Sequence, residues 1–537
     1  MPVPSRPRRT VRVGLALTLL AAPALAACGG GGTPEKNTGG AAPEQLTLAL
    51  GGEPDEGFDP TLGWGRYGSP LFQSTLLQRN PDLSIAGDLA TDWKVSKDGL
   101  TWTVDLRDDA AFTTGEPVTA ADVAYTYTTA AKSGGLTDLT MLEKASAVDE
   151  DTVELTLTRP TSTFVNRMVA LGIVPAEGHD RGYGRAPVGS GPYEFVSWQP
   201  GQQLVVERND DYYGTMPAFE RLTFLFTDED TSLAALRTGE VDVAGVPASM
   251  AGEKIDGHRV VAVPSLDNRA VSFPTVLDTG RTSSTGAPVG NDVTADVAVR
   301  RAVNVAVDRA ALVEGVLDGH GSPAFGPVDE APWFEPSTTI TDDDTAGAQA
   351  LLEDAGWTDG DGDGVREKDG TRAELTLLYP AGDTVRQNLA LAVADMLDPI
   401  GLDVTARSAS WEKIEERMHA DPVLFGWGSQ DQTELYNILS GTQRGVEYNN
   451  PGYYADAQVD RHLEAAMRAT DPETAEREWK AAQVESGPAA DAPWAWLVNL
   501  DHTYYVDECL DLGETVTEPH GHGWPLTAGI TGWSWTC

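Results

Sequence analysis

Two apolar periodicities coexist in this chain, and together they limit what it can fold into. Leu100, Trp102, Val104 and Leu106 alternate with polar residues, and so do Val153, Leu155 and Leu157. A two-residue period puts every second side chain on one face of an extended segment, so these stretches read as strands with one buried face. Val299, Ala302, Val303, Ala306 and Val307 recur at helical spacing, as do Leu389, Ala392, Val393, Met396 and Leu397. Such stripes must pack on another layer. A helical stretch at 387–397 leads directly into an extended one at 402–406. The mixture predicts α/β architecture with more than one sheet. No internal repeat of 20–50 residues is present, which excludes solenoids and propellers.

Local signals sharpen the pattern. Thr119 with Asp122 three residues later marks a helix start. Asp98-Gly99 fits a tight turn between strands. Gly189, Gly191 and Pro192 shape a bend where side chains would obstruct. Gly239 ends a helix before Val241 begins a strand.

The amino terminus fixes the compartment. Residues 1–27 carry Arg6, Arg8, Arg9 and Arg12 and no acid, and 13–27 form an apolar run. That run is shorter than the ~20 residues a bilayer span needs, and the pattern is that of an export signal. Leu25-Ala26-Ala27-Cys28 resembles the bacterial lipobox, which implies lipidation of Cys28 after cleavage. Residues 28–43, rich in Gly, Pro, Thr and Ala, read as a flexible tether. No later segment is apolar enough to cross a membrane. The expectation is an extracytoplasmic body held to the cell membrane by its lipid alone. Outside the cytoplasm the remaining pair, Cys509 and Cys537, is expected to form a disulfide. With 82 acidic against 38 basic residues the net charge is −44, which repels phosphate backbones and excludes a nucleic-acid partner.

Three ordered stretches carry a family resemblance. The first runs from Leu76-Leu77 through Asp88-Leu89-Ala90-Thr91-Asp92-Trp93 and Asp98-Gly99-Leu100-Thr101-Trp102 to Val118-Thr119-Ala120-Ala121-Asp122-Val123. The second is Pro187-Val188-Gly189-Ser190-Gly191-Pro192-Tyr193, followed by Asn209-Asp210-Asp211-Tyr212-Tyr213 and Leu236-Arg237-Thr238-Gly239-Glu240-Val241-Asp242. The third is Val299-Arg300-Arg301-Ala302 with Ala306-Val307-Asp308-Arg309. In this order they resemble the extracytoplasmic solute-binding proteins of ABC importers, family 5, the oligopeptide, dipeptide and nickel type. The resemblance implies a two-lobed periplasmic-binding-protein-like fold of type II. It has an extra subdomain in lobe I and two mixed sheets joined by two hinge crossings. Lobe I would comprise 44–267 with a return over 496–537, and lobe II 268–495. Crossings would lie near 265–268 and 494–497, and closure on ligand would be a hinge motion. The implied partners are a short peptide or a metal chelate, and the permease and ATPase subunits of an importer. The body is expected to be a monomer and not an enzyme.

Within that family a desolvated peptide ammonium needs a carboxylate. The resemblance points to Asp431, after Trp427 in the aromatic segment 425–437, with Glu434 as the alternative carboxylate and Tyr436 nearby. The structural alternative makes Asp431 a helix cap and Glu434 its capping-box partner. Trp411, Trp427 and Trp64 lie near segments that line the cleft in relatives, and Arg66 could meet a carboxylate. For each Trp the core is the competing reading, and the commoner one.

Metal readings are separate. Asp359, Asp361, Asp363 and Gly364 copy the first half of a calcium loop, but position twelve is Gly370, not Glu. This reads as a structural calcium site or a solvated turn. No cofactor is required. His520 and His522 could bind nickel or lie on a surface loop. Neither a zinc-protease helix, a phosphate-cradling loop nor a Gly-x-Ser-x-Gly elbow occurs, so a secreted hydrolase is a remote alternative, as is a structural adhesin.

Overall fold

Alternation along 100–106 and 152–157 becomes alternation of burial. In a computed structural model, which describes residues 42–54, 57–67, 71–521 and 523–537, the strands Thr101–Leu106 and Thr152–Leu157 bury every second side chain. They are the inner strands of a four-stranded antiparallel sheet, edged by Ala90–Val95 and Leu142–Ala147. The Asp98-Gly99 turn joins the first two strands. The helix Ala120–Ser133 begins where the Asp122 carboxylate accepts from the Thr119 N–H and hydroxyl, at 3.0 and 2.7 Å. Trp102, Val104, Val123, Tyr127, Phe164 and Met168 belong to one apolar core under this sheet. The short helix Val165–Ala170 therefore rides on a fixed base.

A second, larger sheet runs through the body. Its order is Asp403–Ala409, Glu374–Pro380, Val423–Phe425, His258–Ser272, Trp494–Asp507, Val243–Val246, Gln45–Ala49, Arg221–Leu225, Gln203–Arg208 and Tyr193–Gln199, with Gly321–Pro323 added alongside Trp494–Asp507. Pairing is mixed. Gln45–Ala49 is parallel to both its neighbours, and Glu374–Pro380 is parallel to Asp403–Ala409, while most other pairs are antiparallel. The architecture is α/β with a mixed sheet, as expected, but in place of two mixed sheets joined by crossings there is one continuous mixed sheet, because the two crossing strands pair with each other and with neighbours on both sides.

The two halves of this sheet are continuous through its longest strands, His258–Ser272 and Trp494–Asp507. Their antiparallel ladder breaks register between Pro264, opposite Asp501, and Asn268, opposite Asn499. The carboxyl-terminal segment fills the break. Leu266 N–H donates to the Glu518 carbonyl at 2.8 Å, and Glu518 N–H to the Pro264 carbonyl at 3.0 Å. A register break relaxes strand coupling where the chain passes from one half to the other.

Separate cores lie on either side. One gathers Val299, Ala302, Val303, Ala306, Leu389, Val393 and Leu397, the faces expected from the sequence. Another gathers Phe58, Trp64, Phe72, Phe224 and Trp524. Gly189 and Gly191 sit against the backbone of Leu71 and Phe72, where an added Cβ at 189 would lie 1.9 Å from a carbonyl oxygen. Among the described residues no helix is long and apolar enough to cross a membrane.

Candidate functional site

The register break opens onto a cavity of about 950 Å³, at the upper end of ordinary small-molecule sites, which run to ~1,000 Å³. Three groups of side chains line it. From one side come Arg66, Gln73, Arg79, Asp88, Asn166 and Arg167. From the other come Arg386, Trp411, Trp427, Asp431, Glu434 and Tyr448. The carboxyl-terminal segment adds Glu518 and His520 beside the break.

An aromatic wall stands on the second side. The ring of Trp411 lies 6.2 Å from Phe425 and 5.6 Å from Tyr448, and Phe425 lies 6.5 Å from Trp427. Trp411 keeps 43% of its surface exposed, so it offers apolar area to a ligand.

Behind the wall lies a buried ionic network. Arg269 donates to both oxygens of Asp267, and His520 Nδ1 lies 2.5 Å from the same carboxylate. His502 lies between Asp267, at 3.5 Å, and Glu518, at 2.6 Å. The Tyr504 hydroxyl donates to Glu518 at 2.7 Å. Burial alone would raise Asp267, but the Arg269 charge and the two imidazoles hold it well below the usual carboxylate range. Burial opposes charge on His502 too, yet its hydrogen bonds to Asp267 and Glu518 push it up to about 9, so it is protonated at neutral pH. The network joins the two long strands to the tail and rigidifies the cavity floor.

Five residues of this lining also carry a buried side-chain polar atom that has no partner among the described residues. These atoms are the acceptors Gln73 Oε1, Glu434 Oε1 and Glu518 Oε1 and the donors Arg386 Nε and Trp427 Nε1. Buried polar groups left unpaired cost free energy; these atoms are closed off from the cavity, and what the cavity offers a ligand is its lining of charged, amide and aromatic residues.

The sequence-derived residues divide. Asp431, Trp427, Glu434, Trp411, Arg66 and His520 all line the cavity. Arg66 lies over the Tyr67 ring at 4.3 Å. Asp431 is saturated by protein: Oδ1 accepts from Asn166 Nδ2 and Thr433 N–H, both at 2.9 Å, and Oδ2 accepts from Arg167. Burial works against its charge, but Arg167 and Thr433 outweigh it and hold the carboxyl below its ordinary value. Glu434 does not close a capping box on Asp431. It turns back to accept from the Gly428 N–H at 3.1 Å, and burial pushes it up to about 7.

Two expectations are corrected. Trp64 is core, 4.9 Å from Phe58 and 5.2 Å from Trp524, and lines no part of the cavity. Its large apolar ring is better satisfied inside the aromatic cluster than at a wet wall. Tyr436 points away, its hydroxyl donating to Glu464 at 2.8 Å. On the helix Thr433–Leu439 it lies two residues beyond Glu434 and so faces another direction.

Asp359, Asp361 and Asp363 cluster on the surface with ligand oxygens within 4.8 Å of one another. Their oxygens accept N–H groups of their own turn, and Arg372 pairs with Asp363 at 2.9 Å. Cys509 and Cys537 are disulfide-bonded. Cys28, the signal and tether segments through residue 41, and His522 lie outside the described residues.

Sequence reasoning missed Arg79, Asn166, Arg167, Arg386, Glu518 and Tyr448. None sits in a recognisable motif, and each reaches the cavity only through the tertiary fold.

A model of the bacterial extracellular solute-binding proteins, family 5 (middle part), matches residues 84–450. Protein XP55 of Streptomyces lividans is 36% identical over 487 residues, covering 88% of this chain and 86% of that protein. The oligopeptide-binding protein AppA of Bacillus subtilis is 26% identical over 548 residues, 94% of this chain and 96% of that one. Among solved structures, NikZ from Campylobacter jejuni in complex with Ni(L-His) superposes with a TM-score of 0.75 at 23% identity, covering 92% of this chain and 100% of that chain. AppA from Bacillus subtilis in complex with a nonapeptide gives 0.68 at 24%, covering 92% and 99%. The structural neighbours share the two-lobed fold.

Proposed function

Because the chain belongs to family 5 of the bacterial extracellular solute-binding proteins, we propose that it captures short peptides in the cavity between its lobes and delivers them to a membrane permease. Proteins of this family are extracytoplasmic, bind peptide or metal-chelate ligands, and work with ABC permease components as binding proteins of transporters. Lobe I is assigned to 44–267 with 496–537 and lobe II to 268–495. A signal peptide over 1–27 directs export and is removed before Cys28, and the lipid on Cys28 with a tether over 28–43 holds the monomeric body to the cell membrane.

The observation that supports a peptide is the mixed lining of a cavity of about 950 Å³, to which Arg66, Arg386 and Gln73 bring donors and Gln73, Asp88 and Glu518 bring acceptors. A peptide backbone carries both N–H and C=O groups and meets both needs. The aromatic wall of Trp411, Trp427 and Tyr448 accommodates side chains by area rather than by sequence. A metal chelate is the second reading, favoured by His520 at the cavity. Among the described residues, however, the group able to hold an ion directly is the surface triad Asp359, Asp361 and Asp363.

The test is a thermal-shift screen of the purified protein against di- to pentapeptide pools, nickel alone and nickel with histidine. A bound peptide at about 100 times its Kd stabilises the body by about 2.7 kcal/mol. A shift with nickel–histidine and none with any pool overturns the peptide assignment.

A further inference from the structure

The two sides of the cavity are already fastened to each other by protein groups. Arg167, on the helix Val165–Ala170, pairs with Asp431 on the facing loop, 264 residues away in sequence. Asn166 donates to Asp431 at 2.9 Å and to Gln432 at 3.1 Å. Arg79 donates to the Gln430 carbonyl at 2.5 Å. The Thr433 and Thr163 hydroxyls meet at 2.8 Å, and Ser162 donates to the Ala466 carbonyl at 2.8 Å. One partner in every pair belongs to the 77–170 region built on the four-stranded sheet, and the other to the 430–466 region.

Arg167 is 8% exposed, and its Nε is anchored on the Asp138 carbonyl at 2.9 Å. Phe164 and Met168, which flank it, are fully buried in the core of the four-stranded sheet. The guanidinium is thus held in place, not draped. Opening the cleft would separate it from Asp431 and hydrate both groups. Closing desolvates both, which is favourable only when they meet. With Arg167, Asn166 and Thr433 all bonded to it, Asp431 has no oxygen left without a protein donor.

We propose that Arg167 and Asp431 form a clasp that holds the lobes together in the ligand-free protein, so that Asp431 is a positioning residue for ligand capture and does not touch the ligand. This rests on the cavity being the ligand cleft, but not on the ligand being a peptide. A share of the closing free energy then comes from the protein itself, and the ligand supplies the remainder through its own preference for the closed state.

Small-angle scattering of the wild-type protein, freed of co-purified small molecules as checked by native mass measurement, tests this without any ligand. Arg167→Leu and Asp431→Asn should each enlarge the radius of gyration. The exchange Arg167→Asp with Asp431→Arg should bring it back towards wild type, which a merely structural role for either residue would not do. Hydrogen exchange on the wild-type protein gives a second readout, independent of whether the variants fold: residues 163–167 and 430–433 should be protected together. A wild-type radius equal to that of folded single variants, or rapid exchange of 430–433, overturns the clasp. Failure of the peptide screen leaves this measurement intact, so the two readings fail separately.

Discussion

Glu434 carries a carboxyl in a place where charge is expensive. Burial drives it up to about 7, and the Gly428 N–H opposes this only in part. Its ordinary value is 4.5, so the difference corresponds to about 3 kcal/mol between protonation states. The protonated form is the one the fold prefers. Stability from this group is therefore complete below pH 4.5 and is lost as pH rises through about 7. Glu434→Gln should flatten that slope, matching wild type near pH 4.5 and exceeding it near pH 8 in a series of thermal melts. His502 shows the same sign by another cause. Its folded value of about 9 lies above 6.5, so its contribution is complete below 6.5 and disappears as pH passes 9. His502→Gln should cost about 3 kcal/mol or more at pH 6, because it leaves Asp267 and Glu518 with fewer partners in a buried site; urea titration reads this directly. Asp431 runs the other way. Its folded value is depressed, so the clasp's contribution is present above pH 3.8 and fades as pH falls through the lower folded value. Scattering of the ligand-free protein should be flat from pH 8 to about 4.5.

At the scale of elements, the loop 425–429 does most of the positioning. It enters from the strand Val423–Phe425, bends across the register break and delivers Trp427 to the cavity wall before the helix Thr433–Leu439 starts. Gly428 makes the crossing possible. Its φ is +149°, and a Cβ there would lie 2.5 Å from the Leu266 carbonyl oxygen. Both obstacles are backbone, so no side-chain rotation relieves them. Gly428→Ala should destabilise by about 1–3 kcal/mol, in the range of overpacked interiors, and should weaken ligand binding more than an alanine at an exposed loop glycine. Calorimetric melts with a binding titration separate the two effects. The helix Val165–Ala170 is the counterpart element. It is short, but its rigid seat makes Arg167 and Asn166 usable on the opposite side of the cleft.

For the whole molecule the governing quantities are a net charge of −44 and a sheet continuous through two long strands. Like charges at this density repel one another, and salt screens them over about 10 Å at 0.1 M. Raising sodium chloride from 0.05 to about 0.5 M should raise Tm, because the buried Asp267 network and the clasp are screened far less than the surface. A fall in Tm would show that these ionic groups outweigh surface repulsion. Continuity through His258–Ser272 and Trp494–Asp507 means that the two long strands run on past a break in their register while separate cores form in the molecule.

Local pattern alone determined a good part of this protein. Strand alternation around Trp102 and Leu155, the helical faces at Val299 and Leu389, the Thr119–Asp122 cap and the close approach at Gly189 are all consequences of neighbours within a few residues, and all reappear in the structure. The family motifs pointed to the segment that supplies Trp427, Asp431 and Glu434, because a linear signature marks a linear segment. What tertiary structure decided is which groups those side chains face. Trp64 was open to both a wall and a core reading, and the surrounding Phe58 and Trp524 make it core. Asp431 met Arg167, and Glu518 reached the floor from the far end of the chain. Such pairings join residues hundreds apart, where spacing carries no information, and their strength comes from desolvation that exists only once the lobes have packed.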